Sequence, residues 1–520
     1  MLRDFCVKID ISSPDKNVTV LKDTGCVFTL GDITVITLGN IFDNQGRLLD
    51  ARAILKTYNR MKENITSRLD GVYGLVVIDK KRNKAFIFHS SIPGGNYIYY
   101  FSDGTDIFIS SSLKNILINH NDYEWILDEQ SVEEFIDNGF VPSNRTLLFN
   151  IFKNSGGKYT VLNLKNGFTS EKKGVYLKAN PGRKASVNEF SASFSHAMED
   201  CVKESCAIEA GYDCGSALLL SSMDKCSAKG MTSSRNVNAF CLVPKNRINE
   251  IENINMLCRS FSNISPYVKP MSFDILSILP QIVRITEGAV FDRNSIYRYE
   301  FANMLGNSSC KSIVLSDGAD EIFCSDTFNR RGFFMKQVRY SFDCFKAKFT
   351  GKSPLPPRDT YADASCVKLA QNDIFLNCFG ISVFRPFYTN KVLDIAKKVS
   401  MNRGIALSFK AKCVEKNVSG DAVKYIKDTI KDVELMDLFK SESDKNDIAR
   451  IAKSSSFYRQ FRRQFNSKNL LVEYLLRIIY IELFRRIFLN KNQSFLTAEK
   501  LNYSTKNFFP RLFPRENNRS

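Results

Sequence analysis

Histidine is almost missing from this 520-residue chain, which has only His89, His120 and His196, well apart, and a single tryptophan. Three scattered imidazoles leave little room for Ser-His-Asp or Cys-His catalysis, so acid–base work falls to carboxylates, lysine or tyrosine. The fourteen cysteines contain no C-x-x-C pair. The close-spaced ligand pairs of a zinc site are therefore lacking, and the scattered thiols read as reduced, as in a cytosolic protein. No run of about 18 uncharged apolar residues exists, so no transmembrane helix is expected. Met1-Leu-Arg-Asp4 has no basic stretch leading into an apolar one, so no signal peptide is expected and the location is read as cytoplasmic.

What is present is ordinary for globular domains: 44% apolar and 25% charged residues, enough for two to four domains at roughly 150 residues each. The net charge is +18. Residues 441–520 hold 16 basic and 7 acidic side chains, or +9, half of that surplus. A basic segment of this kind suits an anionic partner, but no nucleic-acid motif accompanies it. A solvated basic surface is the expectation, and nucleic acid is not an expected partner.

Residues 1–180 read as mostly β. Cys26–Leu30, Ile33–Leu38, Val72–Ile78, Ala85–His89, Tyr97–Phe101 and Ile107–Ser110 are short, β-branched or aromatic, and punctuated by Gly, Asp or Asn. Helices are expected near Asp50–Glu63 and at Ser131–Asp137, the second with Ser131 as N-cap and Glu134 three residues on. The polar, Pro/Gly-bearing stretch 178–186 reads as a linker. A helix is expected over Val187–Lys203, followed by buried parallel strands at Asn238–Val243 and Ser312–Leu315. Helices between such strands imply an α/β layer architecture. Asn469–Leu489 is very apolar but carries five charges, which suits a packed amphipathic helix better than a membrane span.

The most informative string is Ile313-Val-Leu-Ser-Asp-Gly-Ala-Asp-Glu-Ile-Phe323. An apolar strand runs straight into Ser316, Asp317 and Gly318, then Asp320 and Glu321. At the carboxyl end of a parallel strand, a glycine lets backbone N–H groups approach a phosphate, and carboxylates can hold Mg2+ against phosphate oxygens. The same string also suits a plain strand, turn and capped helix, and the residues alone leave both readings open.

That string resembles the second ATP-site motif of the asparagine synthetase family, L-S-G-x-G-x-D-E-L-F, and further segments resemble the same family in its order. Leu69-Asp-Gly-Val-Tyr-Gly-Leu-Val-Val-Ile-Asp79 is similar to a strand of its glutamine-amidotransferase-like domain. Ser91–Tyr100 is similar to the turn ending P-L-Y-Y, and Phe108–Lys114 to F-A-S-E-x-K. Gly139–Pro142, Thr146–Phe149 and Ser155–Gly157 follow the run that closes that domain, and Phe384-Arg-Pro-Phe-Tyr388 resembles R-V-P-F-L-D. The resemblance spans about residues 27–430. It implies an α+β N-terminal domain, an Ntn-hydrolase-like sandwich, over 1–180. An α/β parallel-sheet nucleotide-binding domain over 187–440 follows, then a basic helical extension over 441–520.

The departures carry weight too. The family's first ATP motif, S-G-G-x-D-S, corresponds to Glu209-Ala-Gly-Tyr-Asp-Cys214. Gly211 and Asp213 are retained, but an acid stands where the family has its leading serine, and an acid beside a pyrophosphate is unfavourable unless a cation intervenes. The second motif is one residue short at Ser316-Asp317-Gly318. Relatives that hydrolyse glutamine use a cysteine directly after the initiator Met. Residue 2 here is Leu, and Cys6-Val-Lys is a poor copy of the usual Cys-Gly-Ile.

The resemblance implies ATP and Mg2+ as cofactors and adenylation of a small-molecule or peptide carboxylate for attack by an amine. Glutaminase activity would be absent, as in lactam and lasso-peptide macrolactam synthetases. It assigns metal binding to Asp213 and Asp320, phosphate contacts to Ser316 and Gly318, and the rest of the nucleotide site to Gly211, Asp317 and Glu321. The catalytic lysine falls at Lys427, with Lys424 as rival, and Glu287 in Ile285-Thr-Glu-Gly288 is a candidate for the substrate side. Partner proteins of a biosynthetic complex fit this reading. A relative that keeps the fold as a catalytically inactive binding or scaffold subunit is the alternative.

Overall fold

The structure is a computed structural model. It describes residues 4–319, 360–418 and 468–489, apart from breaks at 45, 91–94, 143, 155–157, 175–185, 203–206, 212, 233–235, 245–246, 272–274, 390, 394, 396–411, 415 and 417. The linker expected at 178–186 falls almost entirely outside these residues.

The N-terminal domain stacks two antiparallel sheets. One contains β1 (Phe5–Asp10), β2 (Val18–Asp23), β9 (Tyr99–Ser102), β10 (Asp106–Ser110) and β11 (Phe152–Lys153), in the order β11-β9-β10-β1-β2. The other contains β3 (Val27–Leu30), β4 (Ile33–Gly39), β7 (Tyr73–Asp79), β8 (Lys84–His89), β12 (Lys158–Asn163) and β13 (Thr169–Lys173), in the order β13-β12-β8-β7-β4-β3. A short pair, β5 (Phe42–Asp43) and β6 (Leu69–Asp70), stands apart.

Alternation along the strands builds the layers. Phe5, Val7 and Ile9 of β1 meet Val76 and Ile78 of β7 and Ile87 of β8 between the sheets. Leu75, Val77, Phe86 and Phe88 face the other way, onto Ile54, Leu55 and Tyr58 of α1 (Ala51–Met61). Burial on both faces makes β7 wholly buried. Asp50 caps α1 by accepting from the Ala53 N–H at 2.8 Å. The outer face of the first sheet carries α2 (Leu113–Asn119) and α3 (Glu129–Asn138). The N-cap of α3 is Asp128 rather than Ser131. Ser131 lies within the helix and its hydroxyl donates back to Asp128.

The second domain runs α4 (Val187–Val202), β14 (Ala207–Glu209), α5 (Cys214–Ala228), β15 (Val237–Val243), α6 (Glu250–Arg259), β16 (Ile264–Pro270), α7 (Ile275–Thr286), α8 (Arg293–Gly306) and β17 (Ser312–Val314). It continues with α9 (Thr360–Cys378), β18 (Ser382–Phe384) and α10 (Lys468–Phe488). The five strands are all parallel, in the order β16-β15-β14-β17-β18. The direction of strand progression therefore reverses between β14 and β17, which makes that gap the topological switch point.

The helix α10 is buried almost all round over 476–484 rather than on one face. It sits in the largest core with Phe135 of α3 and Leu279 and Val283 of α7. Two of its polar groups serve neighbouring turns. Arg477 Nη1 donates to the Ile136 and Asp137 carbonyls at 2.9 Å each, closing the C-terminal turn of α3. The Tyr480 hydroxyl meets Thr286 Oγ1 at 2.5 Å and the Gly288 N–H at 2.9 Å. Among the described residues no helix is long and apolar enough to cross a membrane.

Candidate functional site at the switch point

The ends of β14 and β17 bring together two turns more than a hundred residues apart. After β14 the chain passes Gly211 and enters α5, with Asp213 as its N-cap. The Asp213 carboxylate accepts from the Ser216 N–H at 3.0 Å and from the Ser216 hydroxyl at 2.8 Å. After β17 the chain turns through Ser316, Asp317 and Gly318. Gly318 has φ +94°, and a Cβ there would lie 2.9 Å from the Tyr388 ring. The two turns are in direct contact. A Cβ on Gly215, in the first turn of α5, would collide with Ala319.

Glu209, the acid standing in the place of the family's serine, lies between them. Its Oε2 accepts from the Ser316 N–H at 3.2 Å and from the Ser316 hydroxyl at 3.0 Å. Its Oε1 accepts from Arg298 Nη1 at 2.7 Å. Glu209 is buried and Arg298 is half-buried. Burial pulls the Arg298 guanidinium down, but Glu209 and then Asp317 outweigh it and raise its pKa. The cation that balances the Glu209 charge within the chain is thus Arg298. It is supplied by α8, a helix in which the sequence carries no motif.

Asp317 is committed as well. Arg385 Nε donates to its Oδ2 at 2.9 Å, and Asn372 Nδ2 reaches both oxygens at 2.9 and 2.8 Å. Arg385 also pairs with Asp373 Oδ1 at 2.6 Å. The other Asp373 oxygen accepts from the Gly95 N–H of the N-terminal domain at 2.9 Å. This buried chain ties the switch-point turn to the domain seam. Burial raises the Asp373 pKa, with Arg385 acting against it.

Glu287 lies elsewhere, at the seam. One of its oxygens accepts from the Ser112 hydroxyl at 2.6 Å and the other from the Leu113 N–H at 2.5 Å. It thus caps α2 from the other domain. Burial raises its pKa, opposed by Lys114 and these two hydrogen bonds. Glu287 also borders a cavity of about 640 Å3 between the domains, together with Tyr97, Tyr99, Lys114 and Arg284.

The structure thus brings Gly211, Asp213, Ser316, Asp317 and Gly318 to two adjoining turns at the switch point and leaves Glu287 apart from them. Asp320, Glu321, Lys427 and its rival Lys424 lie outside the described residues. Among the described residues no group of three or more His, Cys, Asp or Glu forms a metal cluster. The sequence reading missed Arg298, Asn372, Asp373 and the role of Arg385, although Arg385 stands in the quoted Phe384–Tyr388 segment.

Cys6 is fully buried in β1, and burial pushes its thiol pKa up to about 12. A thiol held protonated in this way is a poor nucleophile.

Comparison with known proteins bears on the family the chain resembles. Residues 31–174 match the family model described as a glutamine amidotransferase domain. A putative glutamine-hydrolysing asparagine synthetase of Methanocaldococcus jannaschii is 30% identical over 105 residues, 20% of this chain and 20% of that protein. A glutamine-hydrolysing asparagine synthetase of Bacillus subtilis is 25% identical over 114 residues, 22% of this chain and 17% of that protein. These alignments span about a fifth of the relatives' lengths. The resemblance to the asparagine synthetase superfamily seen in the motifs is supported by this domain and these relatives. Among solved structures, a glutamine phosphoribosylpyrophosphate amidotransferase from B. subtilis has 9% identity and a TM-score of 0.22, covering 53% of this chain and 76% of that one. That likeness is too loose to add to the fold argument.

Proposed function

We propose that the chain is an ATP- and Mg2+-dependent ligase of the asparagine synthetase type. It would join the carboxylate of a small molecule or peptide to an amine without hydrolysing glutamine, in peptide or specialised-metabolite biosynthesis such as lactam, macrolactam or antibiotic formation. One observation carries the reading: the turns after β14 and β17 converge at the switch point of a parallel sheet, where α/β sheets bind nucleotides. The α5 N-terminus and the N–H groups around Ser316 are the kind of donors that hold phosphate. ATP, when bound, supplies a good leaving group for an otherwise poor carboxylate electrophile, and Mg2+ neutralises the departing pyrophosphate.

Among the described residues several suit this cofactor, although Asp213 and Asp317 already bond to protein groups. Ser316 and Gly318 suit phosphate contacts, Gly211 allows close approach, and Asp213 with Asp320 would hold the metal. Asp317 lies in the same turn, Glu321 is proposed to complete the nucleotide site, and Lys427 is the proposed catalytic lysine. Glu209 does not fit. A phosphate charge about 4 Å from its carboxylate would be repelled by roughly 4 kcal/mol at an effective dielectric near 20. The missing glutaminase is supported by Cys6, buried and held protonated. The amine would then come from a source other than glutamine, and a cytoplasmic location with biosynthetic partner proteins accords with this chemistry.

The test is AMP formation from ATP with carboxylate and amine substrates, alongside ammonia release from glutamine. AMP without ammonia is expected, and ammonia release would overturn the glutaminase half. A second reading, a catalytically inactive binding or scaffold subunit, draws on one observation. Glu209, Asp213 and Asp317 are all engaged by protein groups. Absence of AMP formation with any carboxylate would favour it.

A further inference from the structure

We propose that the Glu209 carboxylate is a built-in substitute for a phosphate. It holds the anion seat of the β14–β17 crevice, and a phosphate-bearing ligand enters only when that carboxylate is withdrawn or removed. The inference rests on reading the crevice as a nucleotide site, and it deepens that reading.

Three donors converge on this one carboxylate: a backbone N–H and a hydroxyl, both from Ser316, and a guanidinium from Arg298. A backbone amide, a hydroxyl and an arginine at the end of a parallel strand form a receptor for any oxyanion. Carboxylate and phosphate present the same paired oxygens to a guanidinium. Here both Glu209 oxygens are used, one per partner, so the receptor is satisfied from within the chain. The neighbouring approach is closed too, because Gly215 packs directly against Ala319 at the start of α5. The two features agree with the sequence. The turn at 316–318 is one residue shorter than the motif it resembles, and the residue that would line the seat as a small hydroxyl is an acid with reach.

Removing the carboxylate leaves the half-buried Arg298 guanidinium facing two open donors, which is the make-up of an anion site. The experiment is titration calorimetry on the full chain, comparing wild type, E209S, E209Q and the double variant E209S/R298M. Each is titrated with inorganic pyrophosphate and, separately, with Mg-ATP. E209S is expected to bind pyrophosphate at least tenfold more tightly than wild type, with E209Q between them, and the gain is expected to vanish in E209S/R298M. Equal pyrophosphate affinity in wild type and E209S overturns the proposal, as does a gain that persists without Arg298. Should circular dichroism show E209S unfolded, E209Q carries the comparison, and no gain over wild type overturns the proposal. The Mg-ATP arm separates the two ideas. A pyrophosphate gain with no Mg-ATP binding in any variant upholds the substitute and overturns the nucleotide site. Wild type binding Mg-ATP as tightly as E209S does the reverse.

Discussion

The Ser316 hydroxyl donates to the Glu209 carboxylate at 3.0 Å, joining two turns 107 residues apart in the chain. That hydrogen bond decides how the crevice is read. It fixes the two turns at one place and also occupies the donors a ligand would use. Arg298 holds the other oxygen of the same carboxylate, so the three groups stand or fall together. Replacing Arg298 by Met should leave Glu209 buried and unpaired, with a loss of about 3–5 kcal/mol. Urea denaturation of R298M would measure it. A loss under about 1 kcal/mol would mean that the pair is solvated and the seat open.

Arg385 makes a second buried charge chain, between Asp317 and Asp373, and through Asp373 reaches Gly95 in the other domain. R385M should cost about 3–5 kcal/mol, because it leaves two buried carboxylates facing each other without their cation. D373N in that background should recover part of the loss. Denaturation midpoints of the single and double variants give the coupling, and simple additivity would contradict the network.

His89 sits fully buried at the end of β8, and burial depresses its pKa to about 4 from an ordinary value of 6.5. The neutral ring is the form the fold tolerates. Its contribution is therefore intact above pH 6.5 and is lost as pH falls toward 4. The loss is of the order of 3 kcal/mol if the whole shift acts on stability. Wild type should thus lose stability relative to H89L across that window. Parallel pH profiles of the two proteins would expose a mistaken assignment.

Cys6 should resist alkylation. Its thiol pKa is pushed up to about 12 and the side chain has no exposure. Iodoacetamide at pH 8 followed by peptide mass spectrometry should find Cys6 unmodified in the native protein and modified in urea. Rapid native labelling would reopen the question of a nucleophile in the N-terminal domain.

Much of the fold was legible because it follows local pattern. The strand expected at Ile33–Leu38 and the helix expected at Val187–Lys203 differ from β4 and α4 by one residue at the C-terminal end. Their signals are a period of two and a run of helix formers, and neither depends on distant partners. The cap of α3 was misread because Asp128 and Ser131 are both good cap residues three positions apart, and only backbone geometry separates them. Buried α10 was read as amphipathic because its charges suggested a wet face. Arg477 is instead buried against α3 carbonyls, which periodicity cannot reveal. The crevice was half legible. Gly211, Asp213, Ser316 and Gly318 came from motif order. Arg298 and Asp373 did not, because their roles exist only through contacts made across scores of residues.

The central claim is that a phosphate-bearing nucleotide belongs between the ends of β14 and β17, in competition with Glu209. Amide hydrogen exchange of wild type and E209S, with and without Mg-ATP, tests it most directly. The account predicts added protection confined to peptides covering 207–217 and 312–319, and stronger in E209S. Protection centred instead on the domain-seam cavity beside Lys114 and Arg284, or equal in the two proteins, would contradict it.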